Sequence, residues 1–175
     1  MITDQIVSFL PPGSNLAVTN AAVFSNVIDI LGVGAGITAA QANVIIGTTT
    51  LPGWDPGAGV VVPEIICAVG TAFAGSGTLT MAFQGAPDNG SGSPGSYQTF
   101  EQTAAMTIAQ LTASSFFGRM KWPYEYPDGF NPRFFRLAFT PSGTFTNGTV
   151  ANALVTMGPP IQFNKYAAKN FTVAG

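Results

Sequence analysis

The stretch that most restricts the fold runs from Phe116 to Met157, FFGRMKWPYEYPDGFNPRFFRLAFTPSGTFTNGTVANALVTM. In Arg133–Thr140 the residues Phe135, Leu137 and Phe139 fall on one face, with Phe134, Arg136 and Ala138 on the other. A two-residue period of this kind describes a strand packed on one side. Phe116–Trp122 reads as the preceding strand, with Phe116, Met120 and Trp122 inward and Phe117, Arg119 and Lys121 outward. Thr149–Met157 reads as the following one, with Ala151, Ala153, Val155 and Met157 alternating against Asn152, Leu154 and Thr156. The segment Pro123–Pro132 holds three prolines in ten residues, which forbids helix and interior strand there. Pro141–Gly148 carries Ser142-Gly143 and Asn147-Gly148 and suits a hairpin or a Greek-key corner. This is antiparallel β architecture.

The rest of the chain repeats it. Leu16–Thr19, Asn26–Leu31, Val60–Val69, Thr78–Gln84 and Tyr97–Thr103 are further candidate strands, with Leu79, Met81 and Phe83 inward; Thr38–Ile46 fits a short helix or a strand, and Met106–Leu111 is ambiguous. Asp88–Ser96 is a flexible loop by composition. About eight short strands punctuated every 8–12 residues predict an all-β, antiparallel β-sandwich of jelly-roll type. A chain of 175 residues holds one such domain, spanning 16–157, with a long loop insertion over 33–53. Residues 1–15, ending in Pro11-Pro-Gly-Ser-Asn, read as an N-terminal arm, and 158–175, opening on Gly158-Pro-Pro, as a C-terminal tail.

Charge is scarce. Only 8% of residues are charged, against roughly 25% in an ordinary domain. Interspersed surface charge protects proteins against association, so its scarcity predicts a surface largely covered by copies of the chain or by another protein, the alternative being a neutral surface of Ser, Thr, Asn and Gln. All six bases, Arg119, Lys121, Arg133, Arg136, Lys165 and Lys169, lie at or after position 119, while the first 118 residues carry six acids. The net charge of −2 argues against nucleic acid and leaves an acidic protein surface as the partner of this cluster. If the strands bearing them are neighbours, Arg119, Lys121 and Arg136 form one exposed docking patch.

The chemistry of catalysis finds little to stand on. The chain has no histidine and one cysteine, Cys67, which reads as a buried small hydrophobe, and a zinc site has no ligand set. Glu125 and Asp128 are a close carboxylate pair beside aromatics, as in glycosidases, but a proline-rich corner with solvated acids is the better reading. Gly34, Gly36 and Ala39 imitate a dinucleotide fingerprint with Asp55 downstream, yet no alternating strand–helix units surround them. No metal, cofactor or enzymatic activity is expected. The N-terminus lacks a signal peptide's basic region, and no apolar run reaches membrane-spanning length.

Three blocks carry a resemblance: Asn26-Val-Ile-Asp-Ile30; Gly75–Gln84, GSGTLTMAFQ; and Arg133–Thr140, RFFRLAFT, with Gly143–Val150, GTFTNGTV. In order and spacing they are similar to the jelly-roll capsid cement (decoration) proteins of tailed bacteriophages, the Bordetella-phage type, from about Asn26 to Met157, and the ending Phe171-Thr-Val-Ala is similar too. The resemblance implies a non-enzymatic structural virion protein, made in the bacterial host cytoplasm. It would sit on the outer surface of a capsid, where it reinforces contacts between major capsid protein subunits. Its implied partners are the major capsid protein and itself, as a dimer or trimer, without nucleic acid or membrane. The contacts expected from the residues are Arg119, Lys121, Arg136, Trp122, Tyr124 and Tyr126. The alternative is a carbohydrate- or receptor-binding phage module using Trp54, Trp122, Tyr124 and Tyr126 as a sugar platform.

Overall fold

The computed structural model describes residues 2–30, 62–123 and 125–157. These form ten strands: β1 (Ile2–Ala17), β2 (Val23–Phe24), β3 (Ile28–Asp29), β4 (Pro63–Val69), β5 (Ala74–Ala86), β6 (Gln98–Gln102), β7 (Met106–Thr107), β8 (Phe116–Lys121), β9 (Phe134–Asn147) and β10 (Thr149–Met157). No helix occurs among the described residues. The first sheet has the order β1-β10-β4-β8; the second has β2-β9-β5-β6, with β3 also on β9 and β7 also on β5. Every pairing between these strands is antiparallel. The pairs nest, β1 with β10, β2 and β3 with β9, β4 with β8, and β5 with β6 and β7. The described residues are therefore all-β and sandwich-like. The expected loop insertion over 33–53, the fingerprint residues and the C-terminal tail lie outside the described residues.

The core follows the alternation. Leu79, Met81 and Phe83 of β5 and Phe135, Leu137 and Phe139 of β9 are all fully buried. They meet Ile65, Cys67 and Val69 of β4, Met120 of β8, and Val150, Ala153 and Val155 of β10. Phe83 stacks on Phe135 at 5.7 Å between centroids, and Trp122 lies 5.0 Å from Phe83 and 4.6 Å from Phe135. Such pairs add roughly 0.5–1.5 kcal/mol each beyond area burial. Burial pushes the Cys67 thiol well above its usual range, as expected for a structural sulfur.

Several local expectations are corrected. The expected arm over 1–15 is not one from Ile2 onward: Ile2–Asn15 belong to β1, which pairs with β10 from Ile2↔Met157 to Ala17↔Thr149. Pro11–Ser14 bulge out between Leu10↔Ala153 and Asn15↔Ala151, with Gly13 at φ 86°; an edge strand tolerates prolines because its outer N–H groups pair with nothing. Phe9 is fully buried and meets Phe83 edge-on at 5.9 Å, while its carbonyl accepts the Asn26 N–H at 3.0 Å. That bond ties the edge of the first sheet to the β2–β3 connection of the second.

Pro141 is no turn either. β9 runs through it to Asn147 and the crossing to the other sheet falls at Gly148, φ 149°, where an added Cβ would lie 2.3 Å from the Phe73 ring. Leu137 and Phe145 direct their N–H groups away from β5, to Ser25 and Thr19. Pro141 shares their parity, so the donor it lacks would point past the end of β2 and not into the β5 ladder.

Asp88–Ser96, expected flexible, is closed by hydrogen bonds. The Asp88 carboxylate accepts from the Gly90 and Gly92 N–H groups, and Gly95 N–H donates to Pro87 O. Arg133 then joins three segments, donating through Nε and Nη2 to the Asp29 carboxylate at 2.8 Å each and through Nη1 to Asp88. The Gly92 N–H, chiefly, holds the Asp88 carboxyl below its usual range.

Two predictions follow from this packing. Phe9→Ala should destabilise the free protein by about 3–5 kcal/mol in chemical denaturation, and deletion of 1–10 should lower the melting temperature clearly. An arm would show neither effect. For Asp88 the folded pKa lies below the unfolded one, so its contribution is complete above about pH 4 and is lost as pH falls through the lowered value. Asp88→Asn should flatten the acid limb of a stability–pH profile below about pH 4.

Candidate interaction surface

The three bases expected to share a patch are divided between the sheets. β8 pairs with β4, whereas β9 pairs with β5, because the Pro123–Pro132 connection crosses from one sheet to the other. Arg119 and Lys121 thus belong to the outer face of the first sheet and Arg136 to that of the second. This corrects the single docking patch. Arg119 is already paired, with Nε and Nη2 each 2.8 Å from Glu64 Oε2. Lys121 borders the same polar depression as Glu64, Glu101 and Arg119, and its main-chain N–H donates to Glu101 Oε2 at 3.2 Å. Glu101 stands on the edge of the opposite sheet, so its carboxylate occupies an otherwise open donor of edge strand β8.

Of the four residues expected in the aromatic platform, Trp122 and Tyr126 are described, and Trp122 is not at the surface. Trp122 is 2% exposed, inside the core, and its Nε1–H donates to Tyr126 Oη at 3.0 Å. Tyr126 is half-buried and packs 5.3 Å from Phe100. Phe130 covers the other side of Phe100 at 5.9 Å, so the proline-rich segment folds back over the end of the sandwich. Glu125 and Asp128 are exposed. Tyr124, Trp54, Lys165 and Lys169 lie outside the described residues.

Two surfaces emerge that single strands did not announce. On the first sheet, Pro12, Ile66, Ala68, Phe116, Ala151 and Leu154 line a shallow apolar groove of about 590 Å³. Two bulges create it. Cys67 pairs with Gly118 and Ala68 with Phe116, so Phe117 is extra and Phe116 turns from the expected inward face to the outside, 45% exposed. Asn152, at φ 50°, is the extra residue of β10, so that Ala153 and Val155 point inward while Ala151 joins the groove. A one-residue slip exchanges the faces of a strand. Asn tolerates the left-handed region better than most residues, and that was the only local signal.

On the second sheet Arg136 is the centre. Its Nε donates to Gln84 Oε1 at 2.9 Å, and Gln84 Nε2 donates to Thr99 Oγ1 at 3.1 Å, a row across β9, β5 and β6. The Arg136 guanidinium carbon lies over two rings, 3.8 Å from the Phe24 centroid and 3.6 Å from that of Tyr97. Burial lowers the Arg136 pKa from its ordinary value and raises that of the Tyr97 phenol. Phe24 and Tyr97 were missed as partners because they come from separate segments, and register alone unites them.

No group of three or more His, Cys, Asp or Glu side chains among the described residues could hold a metal ion, and no described helix is long and apolar enough to cross a membrane. No protein-family model matches the chain, and no curated protein matches it.

The Tyr97 hydroxyl is buried without a hydrogen-bond partner among the described residues. An unsatisfied buried hydroxyl costs about 1–3 kcal/mol, so Tyr97→Phe, which keeps the ring over Arg136, should leave the melting temperature unchanged or raise it. A clear fall in calorimetry would mean that the hydroxyl is bonded.

Proposed function

We propose that the chain is a non-enzymatic structural virion protein, a jelly roll that binds the outer surface of a phage capsid and reinforces contacts between major capsid subunits. The observation that carries this reading is the convergence of the three resembling blocks. Gly75–Gln84 and Arg133–Thr140 with Gly143–Val150 fall on β5, β9 and the start of β10, and the Asn26–Ile30 block contains β3, which pairs with β9. Segments far apart in sequence thus meet on the adjacent strands β3, β9 and β5 of the second sheet, with the last block running over into β10 of the first. The nested pairing supports the jelly-roll assignment, since two such sheets arise when one long hairpin is rolled up.

Mechanically, the protein would work by avidity. Modest apolar and main-chain contacts, repeated in a homo-oligomer and across a lattice, clamp neighbouring subunits without any single strong site. The sparse charge suits such a role, because little ionic surface has to be desolvated on docking.

Sedimentation of the purified protein at micromolar concentration should show a dimer or trimer. Mixed with assembled capsid shells stripped of it, the protein should cosediment at a fixed stoichiometry per shell. A monomer over the whole soluble range that fails to bind shells but binds a glycan array would overturn the reading in favour of a carbohydrate module.

A further inference from the structure

Resting on the capsid-binding reading, we infer that the shell is met by the outer face of the second sheet around Arg136, and that this face takes a carboxylate side chain of the capsid subunit, with Phe24 and Tyr97 as the flanking aromatic anchors.

The described arginines separate the possibilities. Arg119 is paired with Glu64, and Arg133 is shared between Asp29 and Asp88. The contacts of Arg136 among the described residues are neutral: an amide oxygen and two ring faces. Among the described residues no carboxylate reaches ion-pair distance of it. Its positive charge is therefore uncompensated on this face, and the partial burial that lowers its pKa makes that charge less well solvated than in water. A carboxylate arriving from a partner would supply the missing counter-charge.

The site is also prepared. Guanidinium orientation normally costs rotamer entropy on binding, but here two rings and a cross-strand glutamine already hold the group. Gln84 is fixed in turn by Thr99. Arg, Tyr and Phe are the residue types enriched where interfaces concentrate their binding energy. The face is also open at its margin: Phe24 is 45% exposed and Val27, in the β2–β3 connection beside it, 46%. Together they give a charged centre with an apolar rim. That pattern fits a protein surface that presents an acid among apolar side chains.

The test uses stripped shells as the probe and the full chain throughout. Wild type, Arg136→Ala, Arg136→Lys, Phe24→Ala and Lys121→Ala are compared for rebinding at low and high salt, with folding checked by thermal melts. Arg136→Ala should weaken rebinding at low salt by roughly 30-fold or more, the scale of an interface hot spot. Arg136→Lys keeps the charge but not the planar fork, and should lose most of the same binding even if the alanine variant folds poorly. Phe24→Ala should weaken rebinding as well, while Lys121→Ala, on the other sheet, should bind as wild type does. The difference between wild type and Arg136→Ala should shrink at high salt. Wild-type rebinding by folded Arg136→Ala and Phe24→Ala would overturn this inference while leaving the capsid role standing. A loss insensitive to salt would overturn the carboxylate as ligand. Variants that dissociate in sedimentation yet rebind shells normally would assign the face to a second copy of the chain, against the inference. Failure of the wild type itself to rebind would overturn the capsid reading and this inference together.

Discussion

The β5–β9 ladder is the constraint on which the rest of the sandwich depends. It runs in one register from Gly75↔Phe145 to Ala86↔Phe134, longer than any other uninterrupted pairing among the described strands. Such length is possible only because the ladder changes character along its course. At one end Phe83 and Phe135 meet across the core face, and bulky side chains fill the interior. At the other end Gly77 stands directly opposite Gly143, at φ 138° and 105°. A Cβ on Gly77 would lie 2.3 Å from Ser142 O, and one on Gly143 would lie 2.7 Å from Ser76 O. The two backbones approach more closely there than side chains permit. Glycine is required on both strands, and its freedom at positive φ lets them keep pairing through the bend.

Open sheets expose edges, and among the described residues single polar groups tie the edge strands β1 and β8 of the first sheet to the second. At one side the Phe9 carbonyl takes the Asn26 N–H; at the other the Glu101 carboxylate takes the Lys121 N–H. A third tie, Arg133 with Asp29 and Asp88, joins β9, β3 and the loop after β5. Six of the charged residues, Asp29, Glu64, Asp88, Glu101, Arg119 and Arg133, thus serve as fasteners between segments. An ordinary soluble domain spreads them over its faces for solubility. Here the outer faces keep an apolar groove on one sheet and an aromatic-flanked arginine on the other.

How much of this was legible in the sequence depended on parity. Where a strand runs without interruption, as in Thr78–Gln84 or Arg133–Thr140, alternation identified the core-facing residues correctly, since each side chain's face follows from its neighbour's, although Ala82, Phe134 and Ala138 of the opposite face are buried as well. Where one residue is extra, every later assignment inverts. Phe117 inverted Phe116, and Asn152 inverted the start of β10. The prolines misled for a related reason. Pro11, Pro12 and Pro141 were read as breaks, yet all three lie within strands: Pro11 and Pro12 in a bulge of β1 that makes no pair with β10, and Pro141 in β9 at a point where its missing donor faces away from β5. A proline's effect depends on which neighbour the lost N–H would have reached, and that is a property of the sheet, not of the segment. Sheet membership was equally invisible: nothing in Phe116–Met157 says that β8 and β9 lie in opposite layers.

That last point changes the meaning of the charge asymmetry. Counting bases along the chain suggests a cationic end able to attract an acidic partner. In the fold, Arg119 and Arg133 are already engaged with carboxylates at 2.8 Å. Using either for docking would require a partner acid to displace an internal one, and exchanging one carboxylate for another yields little net free energy. Arg136 differs in kind, since its neighbours are neutral and mostly aromatic. An incoming carboxylate there adds an interaction without breaking one, and it does so against a guanidinium whose orientation is already set. The capacity of this surface to attract an acid is therefore governed less by the number of bases than by how many of them the fold has left unanswered.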